Sequence, residues 1–440
     1  MKQLLTILMT CLPYFLYAQE TWNQVFVNPS IDVEGVGPLA PSAMYLEDNH
    51  ISILAEGAFC FTCDNPWRLM FLRYDYGGNL LDSTLYPTSD DGIFAVNGWD
   101  HFYGTFKNTN NEIVSLIYHR VSGSDIGQNS NYSLYHFNQD LDILGNIQLT
   151  EFSGGNSNGQ HYIFQKGIQF NEHYILAGYT QPDSSTTIED DRGFITAIDP
   201  ETGDSLWYKE YPDLFDIHKV YNFNDGFIWA LGSQRFPNAD VPGGDLQYYL
   251  MKLDDEGNLL KIEEFGGVGG EGEFRTVHLI KEEDRILVGG LISNDPYIED
   301  IGGDRGTYTT IIYEETENGF EEVQLKRYGV NYNYQQVNGF FPVDEDSTYM
   351  MYGYYRTSTT PYQQGYLLNL SYEMDSLWSR KYIYYDSQEA DHFIRYLKPA
   401  PDGGYIGCGF VENAFEDPFP GIEQLWLFRT DEYGCLEPGC

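Results

Sequence analysis

Two landmarks recur seven times along the chain, and that recurrence restricts the fold more than any other feature. One is a small residue closing an apolar run: Gly57, Gly178, Gly232, Gly290, Gly353 and Gly409, with Ile117 standing in the second copy. The other is a polar turn residue further on: Asp75, Asn138, Asp199, Asp254, Glu314, Ser371 and Asp431. Within each set, successive members are between 54 and 63 residues apart. The stretch from Gly226 to Gly267 shows the unit most plainly: GFIWALGS, a loop rich in Pro, Gly and Asp, then QYYLMKLDDEGNLLKIEEFGG. Apolar residues alternate with polar ones, and an Asp-Glu-Gly-Asn turn joins the last two runs, so the unit reads as strands.

Each copy reads as four short strands, a to d, with no helical periodicity between them. One four-stranded sheet cannot bury both its faces, and sheets stacked into a closed ring leave only short edges. The expected fold is therefore all-β: a seven-bladed β-propeller of four-stranded antiparallel blades, one domain over residues 19–440. In the fourth copy the strands are expected at His218–Phe223, Phe227–Leu231, Tyr248–Leu253 and Leu259–Phe265. The last copy supplies three strands and stops at Gly434-Cys435. The missing one is expected at the other end, because residues 22–27 (WNQVFV) resemble the d strands SLWYKEY and SLWSRKY. The N-terminal strand should thus complete blade 7 and close the ring. Alternating strand direction puts the long b–c loops and the d–a loops on one face, and the short a–b and c–d turns on the other. Long loops on a rigid scaffold are where function usually sits.

Lys2, the mostly apolar run Leu4–Tyr17 and the small residue Ala18 form an export pattern, so residues 1–18 are expected to be a signal peptide. The net charge of −42 argues against nucleic acid and anionic membrane as partners. Export makes disulfides the default for the close pairs Cys60–Cys63 and Cys435–Cys440. A zinc site shared by the two pairs is disfavoured, because the architecture sends them to opposite faces. Cys408, in an apolar strand, reads as a buried free thiol.

The run Ala197-Ile-Asp199-Pro-Glu-Thr202-Gly203-Asp-Ser-Leu-Trp207 resembles the docking motif of pyrroloquinoline-quinone-type propeller repeats. That resemblance implies a Trp packed between blades and a turn shaped by Asp and Thr-Gly; it covers one repeat. Asp-Gly-Gly-Tyr at 402–405, Trp-Leu-x-x-x-Asp at 426–431 and the ending DEYGCLEPGC look like exported bacterial propellers associated with type IX secretion. Such proteins commonly continue into a sorting domain; with the sequence ending at Cys440, none is expected here. Secretion, the cell surface and the periplasm all stay open.

Acids recur just before strand c, at Asp191, Asp245, Asp304 and Glu423. Asp191, Asp245 and Asp304 are candidate calcium ligands, against the plainer role of accepting loop N–H bonds. His161, His218 and His392 fall near the starts of a strands, too far apart around the ring to share a metal. No nucleophile elbow, zinc His pair or phosphate-binding Gly loop is present. Trp67, Phe236, Tyr297, Tyr332, Tyr334, Tyr362 and Phe415 crowd the b–c and d–a loops, as candidate binding aromatics. The expected function is non-catalytic binding or scaffolding toward a surface protein or glycan, with no cofactor beyond calcium. The alternative is a secreted polysaccharide hydrolase or lyase.

Overall fold

A computed structural model describes residues 21–26, 39–58, 67–86, 93–94, 104–120, 130–140, 142–152, 160–182, 191–236, 245–265, 277–283, 285–292, 307–328, 334–343, 348–356, 362–384, 390–412 and 423–436. Those residues form seven antiparallel sheets. Five are four-stranded meanders of consecutive strands, and a sixth, blade 7, is four-stranded with strands from both ends of the chain. In blade 2 the inner strand comes in two pieces, Ile93–Phe94 and Thr105–Lys107, both paired with Ile113–Arg120. Blade 4 runs Asp216–Asn222, Ile228–Phe236, Asp245–Leu253 and Leu259–Phe265. Its d strand falls where the sequence puts it, and its a, b and c strands reach further toward the loop face.

The ring closes as expected. Blade 7 takes Asp391–Pro399, Tyr405–Glu412 and Glu423–Thr430 from the end of the chain and Trp22–Phe26 from the beginning. The two ends pair antiparallel from Trp22↔Arg429 to Phe26↔Leu425. The Trp426 indole N–H donates to Asn23 Oδ1 at 2.6 Å, which fixes this register from the side chains as well.

Packing follows the same arithmetic. Seven clusters of buried apolar side chains lie one between each pair of neighbouring blades, including one joining blade 7 to blade 1. Each fully buried Leu, Ile or Phe is worth about 1.5–3 kcal/mol, against about 1 kcal/mol for a typical hydrogen bond. The clusters therefore hold the ring, while the polar contacts set its register.

Both repeating landmarks have a steric or hydrogen-bonding cause. The inner strands of blades 1, 3, 4, 6 and 7 each carry a bulge. In blades 3, 6 and 7 a side chain on the facing Gly178, Gly353 or Gly409 would strike the bulged backbone at the carbonyls of Ile163, Gln336 and Phe393. The small residue is thus demanded by a close backbone approach. In blade 1 the residue opposite the bulge is Ala55, two positions before Gly57. Blade 5 has no bulge, and Gly290 pairs plainly with Val277.

The polar landmark folds the c–d turn. Asp254 Oδ1 accepts from the backbone N–H of Asn258 at 2.7 Å, and Asp75 and Asp431 do the same for Asn79 and Cys435. Glu314 departs from this pattern, because it still belongs to strand c, Thr307–Glu315, and the turn begins at Thr316.

The same turn docks the preceding blade. Trp207 of blade 3 donates its indole N–H to Asp255 O at 3.0 Å, and its ring lies where a Cβ on Gly257 would stand, 2.6 Å away. Trp378 covers Gly434 and Trp22 covers Gly78 in the same way. In blade 6 the turn position is Met374, buried and at φ 60°, and it receives the Tyr328 hydroxyl on its carbonyl at 2.6 Å.

Candidate functional site

The b–c and d–a loops share one face, and the described part of that face carries its most unusual chemistry on blade 7. Asp391 opens strand a, Glu412 closes strand b and Glu423 opens strand c. The ladder pairs Asp391 with Glu412 and Glu412 with Glu423. Directly paired residues point to one side of a sheet with Cβ atoms about 4.5–5.5 Å apart. Three carboxylates thus stand in a row, where like charges cost stability.

The row's electrostatics follow from burial. Glu423 is pushed up to about 7, first by burial and then by the Glu412 charge, against the pull of Arg395. Burial and the Asp391 charge raise Glu412. Asp391 is raised by burial, opposed by the Gln363 N–H that it accepts and by Arg356. At neutral pH the row is a mixture of carboxylic acid and carboxylate, able to donate as well as accept hydrogen bonds.

An aromatic floor adjoins it. Phe393 stacks on Phe410 at 4.4 Å, and Tyr354 of blade 6 meets Phe393 edge-on at 4.8 Å. The Arg395 guanidinium lies 5.1 Å from the Phe410 ring centroid. Arg395 sits at the inner-strand bulge, between Ile394 and Tyr396, and a bulge re-aims a side chain in this way.

A second polar group marks the joint of blades 3 and 4. Asp191 and Asp216 are buried, and Asp216 Oδ2 lies 3.1 Å from His218 Nδ1. Arg192 donates to the Asp191 carbonyl at 2.7 Å. Burial, then the charges of Asp216 and Asp191, hold the Tyr179 phenol above its ordinary range. Asp191 is therefore buried at a blade joint, where its charge acts with that of Asp216 on Tyr179.

The other expected site residues distribute as follows. Tyr362 is half-buried just ahead of strand c of blade 6. Trp67, Phe236, Tyr334 and Asp245 lie at the loop-face ends of their strands, and their side chains lie outside the described residues. Tyr297, Tyr332, Phe415 and Asp304 lie wholly outside them, as do Cys60, Cys63 and Cys440. Cys408 is a buried free thiol and Cys435 is buried. His392 is fully buried edge-on to Trp426, with both ring nitrogens lacking a hydrogen-bond partner. Among the described residues no group of three or more His, Cys, Asp or Glu could hold a metal ion, and no described helix is long and apolar enough to cross a membrane.

Sequence reasoning singled out Glu423 but missed Asp391 and Glu412. The available signal was an acid at the same end of three consecutive strands, D-HFIRYLKP, YIGCGFV-E and E-QLWLFRT.

The strand pairing defines a seven-bladed β-propeller. No described protein family and no curated protein matches the sequence. Among solved structures, the chain is similar to the phage phi92 endosialidase at 7% identity and TM-score 0.45, covering 94% of this chain and 69% of that one. It is similar to Drosophila Semaphorin 1a at 6% identity and TM-score 0.45, covering 92% and 88%. It is also similar to Drosophila Plexin A, solved with Semaphorin 1b, at 7% identity and TM-score 0.43, covering 94% and 88%. Likeness this distant carries no functional argument.

Proposed function

We propose that the chain is an exported, non-catalytic propeller that recognises a glycan on its b–c and d–a loop face, with the top of blade 7 as the contact. The observation that carries this reading is the Asp391–Glu412–Glu423 row beside Arg395 and the Tyr354, Phe393 and Phe410 rings. Adjacent acceptors suit vicinal sugar hydroxyls and a protonated Glu423 adds a donor, while the buried Tyr354, Phe393 and Phe410 rings hold the row in place from beneath. Export rests on the N-terminal pattern and on the likeness of the C-terminal end to type IX-associated propellers. A calcium ion at the acid-rich loops would be an addition to this reading.

The competing reading is a polysaccharide hydrolase. A carboxyl such as Glu423, held near 7 beside a second carboxyl, is the kind of acid that glycoside hydrolysis uses. The row argues against it, because side-by-side carboxylates on one sheet face grip one sugar from one side. Cleavage needs carboxylates flanking the bond from both sides. Screening the mature protein on a glycan array, with a parallel assay for new reducing ends, separates the two. Binding without cleavage supports the proposal, new reducing ends support the hydrolase, and no glycan bound leaves a surface protein as the partner.

A further inference from the structure

The outermost strand of six blades is interrupted at an equivalent place by a β-bulge. The pairing of strand c with strand d skips Leu81, Leu144, Leu206, Leu260, Val323 and Leu377, in blades 1 to 6. All six are large and apolar, and each is between 46 and 55% exposed. A bulge re-aims a side chain. In blades 3 and 6 the next residue, Trp207 or Trp378, covers Gly257 or Gly434 in the c–d turn of the following blade. The bulge leaves Leu206 and Leu377 outside that joint.

Neither edge protection nor core packing accounts for the residue type. A bulge blunts an edge strand whatever side chain it carries, and a charge there would blunt it further. None of the six belongs to a cluster between blades. One exposed leucine needs no explanation, but the same choice at six equivalent positions makes an apolar belt around the rim.

The belt borders the turn face. Leu81, Leu144, Leu206, Leu260 and Leu377 each stand second in strand d, just past a c–d turn. The turns of those blades and of blade 5, at 75–79, 138–142, 199–204, 254–258, 316–319 and 371–375, carry twelve Asp and Glu and no Lys, Arg or His. Cations beside them are already paired, Arg73 with Asp140, Lys261 with Glu315 and Lys326 with Asp375. Asp142, Glu201, Asp204, Asp255, Glu256 and Glu373 make no ion pair among the described residues. Apolar side chains thus alternate with surplus negative charge along the rim.

We propose that this rim is a docking surface for a cationic, amphipathic protein segment. Its apolar side chains would cover the bulge residues, and its Lys and Arg side chains would meet the turn acids. Charge complementarity selects that occupant: a second copy of this chain would set the same acids against one another, and an anionic bilayer is repelled in the same way. The rim borders the face opposite the blade 7 row, so this surface stands whether or not a glycan binds there.

The test is fluorescence anisotropy with a labelled peptide of alternating Leu and Lys, titrated with the mature protein at pH 7 in about 0.15 M sodium chloride, where exposed charges are screened beyond ~8 Å. A peptide of alternating Ser and Lys, of the same length and charge, is the comparison. The expected result is saturable binding of the Leu–Lys peptide, at least tenfold tighter than that of the Ser–Lys peptide. A variant with Leu81, Leu144, Leu206, Leu260 and Leu377 each changed to Asn and Val323 to Thr should lose at least tenfold in affinity for the Leu–Lys peptide. The Glu412→Gln/Glu423→Gln variant, altered on the other face, should bind it as the wild type does. Equal affinity for the two peptides overturns the proposal even if the six-site variant does not fold, and undiminished binding by that variant overturns it if it does. Self-association in sedimentation that the six-site variant loses would assign the belt to a second copy, and binding to phosphatidylcholine vesicles in place of the peptide would assign it to a lipid surface; either result overturns the proposal.

Discussion

Trp22 donates its indole N–H to the Tyr76 carbonyl across 3.0 Å while its own strand pairs with blade 7, opposite Arg429. One residue near the start of the chain therefore ties the last blade to the first. Arg429 reinforces the joint, reaching the same Tyr76 carbonyl at 3.1 Å and the Asp402 carboxylate. Trp22→Ala removes a half-buried indole and this hydrogen bond, a loss of about 2–3 kcal/mol. The account expects a lower Tm and faster proteolysis between residues 22 and 39, read by thermal unfolding and limited chymotrypsin digestion. Wild-type behaviour would mean that the ring closes elsewhere.

Gly257 and Gly226 both sit at positive φ, 75° and 82°, but in different surroundings. A side chain at Gly257 meets the Trp207 ring at 2.6 Å, whereas one at Gly226 meets nothing within 4 Å. Gly226→Ala should cost about 1 kcal/mol, the backbone term alone. Gly257→Ala should cost clearly more, because Trp207 must leave its seat. Equal losses in denaturant unfolding would contradict the docking role of the turn.

Two buried groups give opposite pH dependences. His392 is held down to about 4 by burial. It stays neutral in the fold while the unfolded chain takes up a proton, so its contribution is lost as pH falls from about 6.5 to 4, by as much as ~3 kcal/mol. Glu423 is held up to about 7. Its folded form keeps the proton longer, so its cost grows as pH rises from about 4.5 to 7. His392→Leu should remove the first slope and Glu423→Gln the second, in stability measured from pH 4 to 7.5. Parallel curves for a variant and the wild type would place that group in water.

Lys166 predicts an alkaline effect. Burial, then the Lys398 charge, holds it down to about 8. The Lys166 charge acts on Lys219 and His278, and Lys398 is acted on in turn by Lys107, Glu47 and Cys408. Between pH 8 and 10.5 the unfolded chain binds the proton that the fold has lost, so stability rises through that window. Subtracting the Lys166→Met stability profile from that of the wild type isolates this trend, and a flat difference would contradict it.

The ring was legible because its landmarks answer to local forces repeated in every blade. Gly178, Gly353 and Gly409 are small because a carbonyl occupies their side-chain space, and Asp75, Asp254 and Asp431 are acidic because their turns present backbone N–H groups. Residues 22–26 could be placed from their likeness to SLWYKEY because they do the same job as a d strand. Blade 5, lacking the bulge, is where Glu314 misplaced the turn. The inner lysines were not legible. Each lies in an ordinary alternating strand, such as DIHKVYN, and blades 3, 4, 5 and 7 must close before their charges meet. The blade 7 row was half legible: Glu423 stood out before strand c, but Asp391 and Glu412 become its neighbours only through register.

The central claim is that the carboxylate row on blade 7 recognises a glycan without cleaving it. The most direct measurement is a glycan array probed with the mature wild type and with the Glu412→Gln/Glu423→Gln double variant, both confirmed folded by circular dichroism. The account predicts a defined set of glycans bound intact by the wild type, with signal reduced at least tenfold in the variant. Equal binding by the two proteins, or shortened glycans after incubation with the wild type, would contradict it.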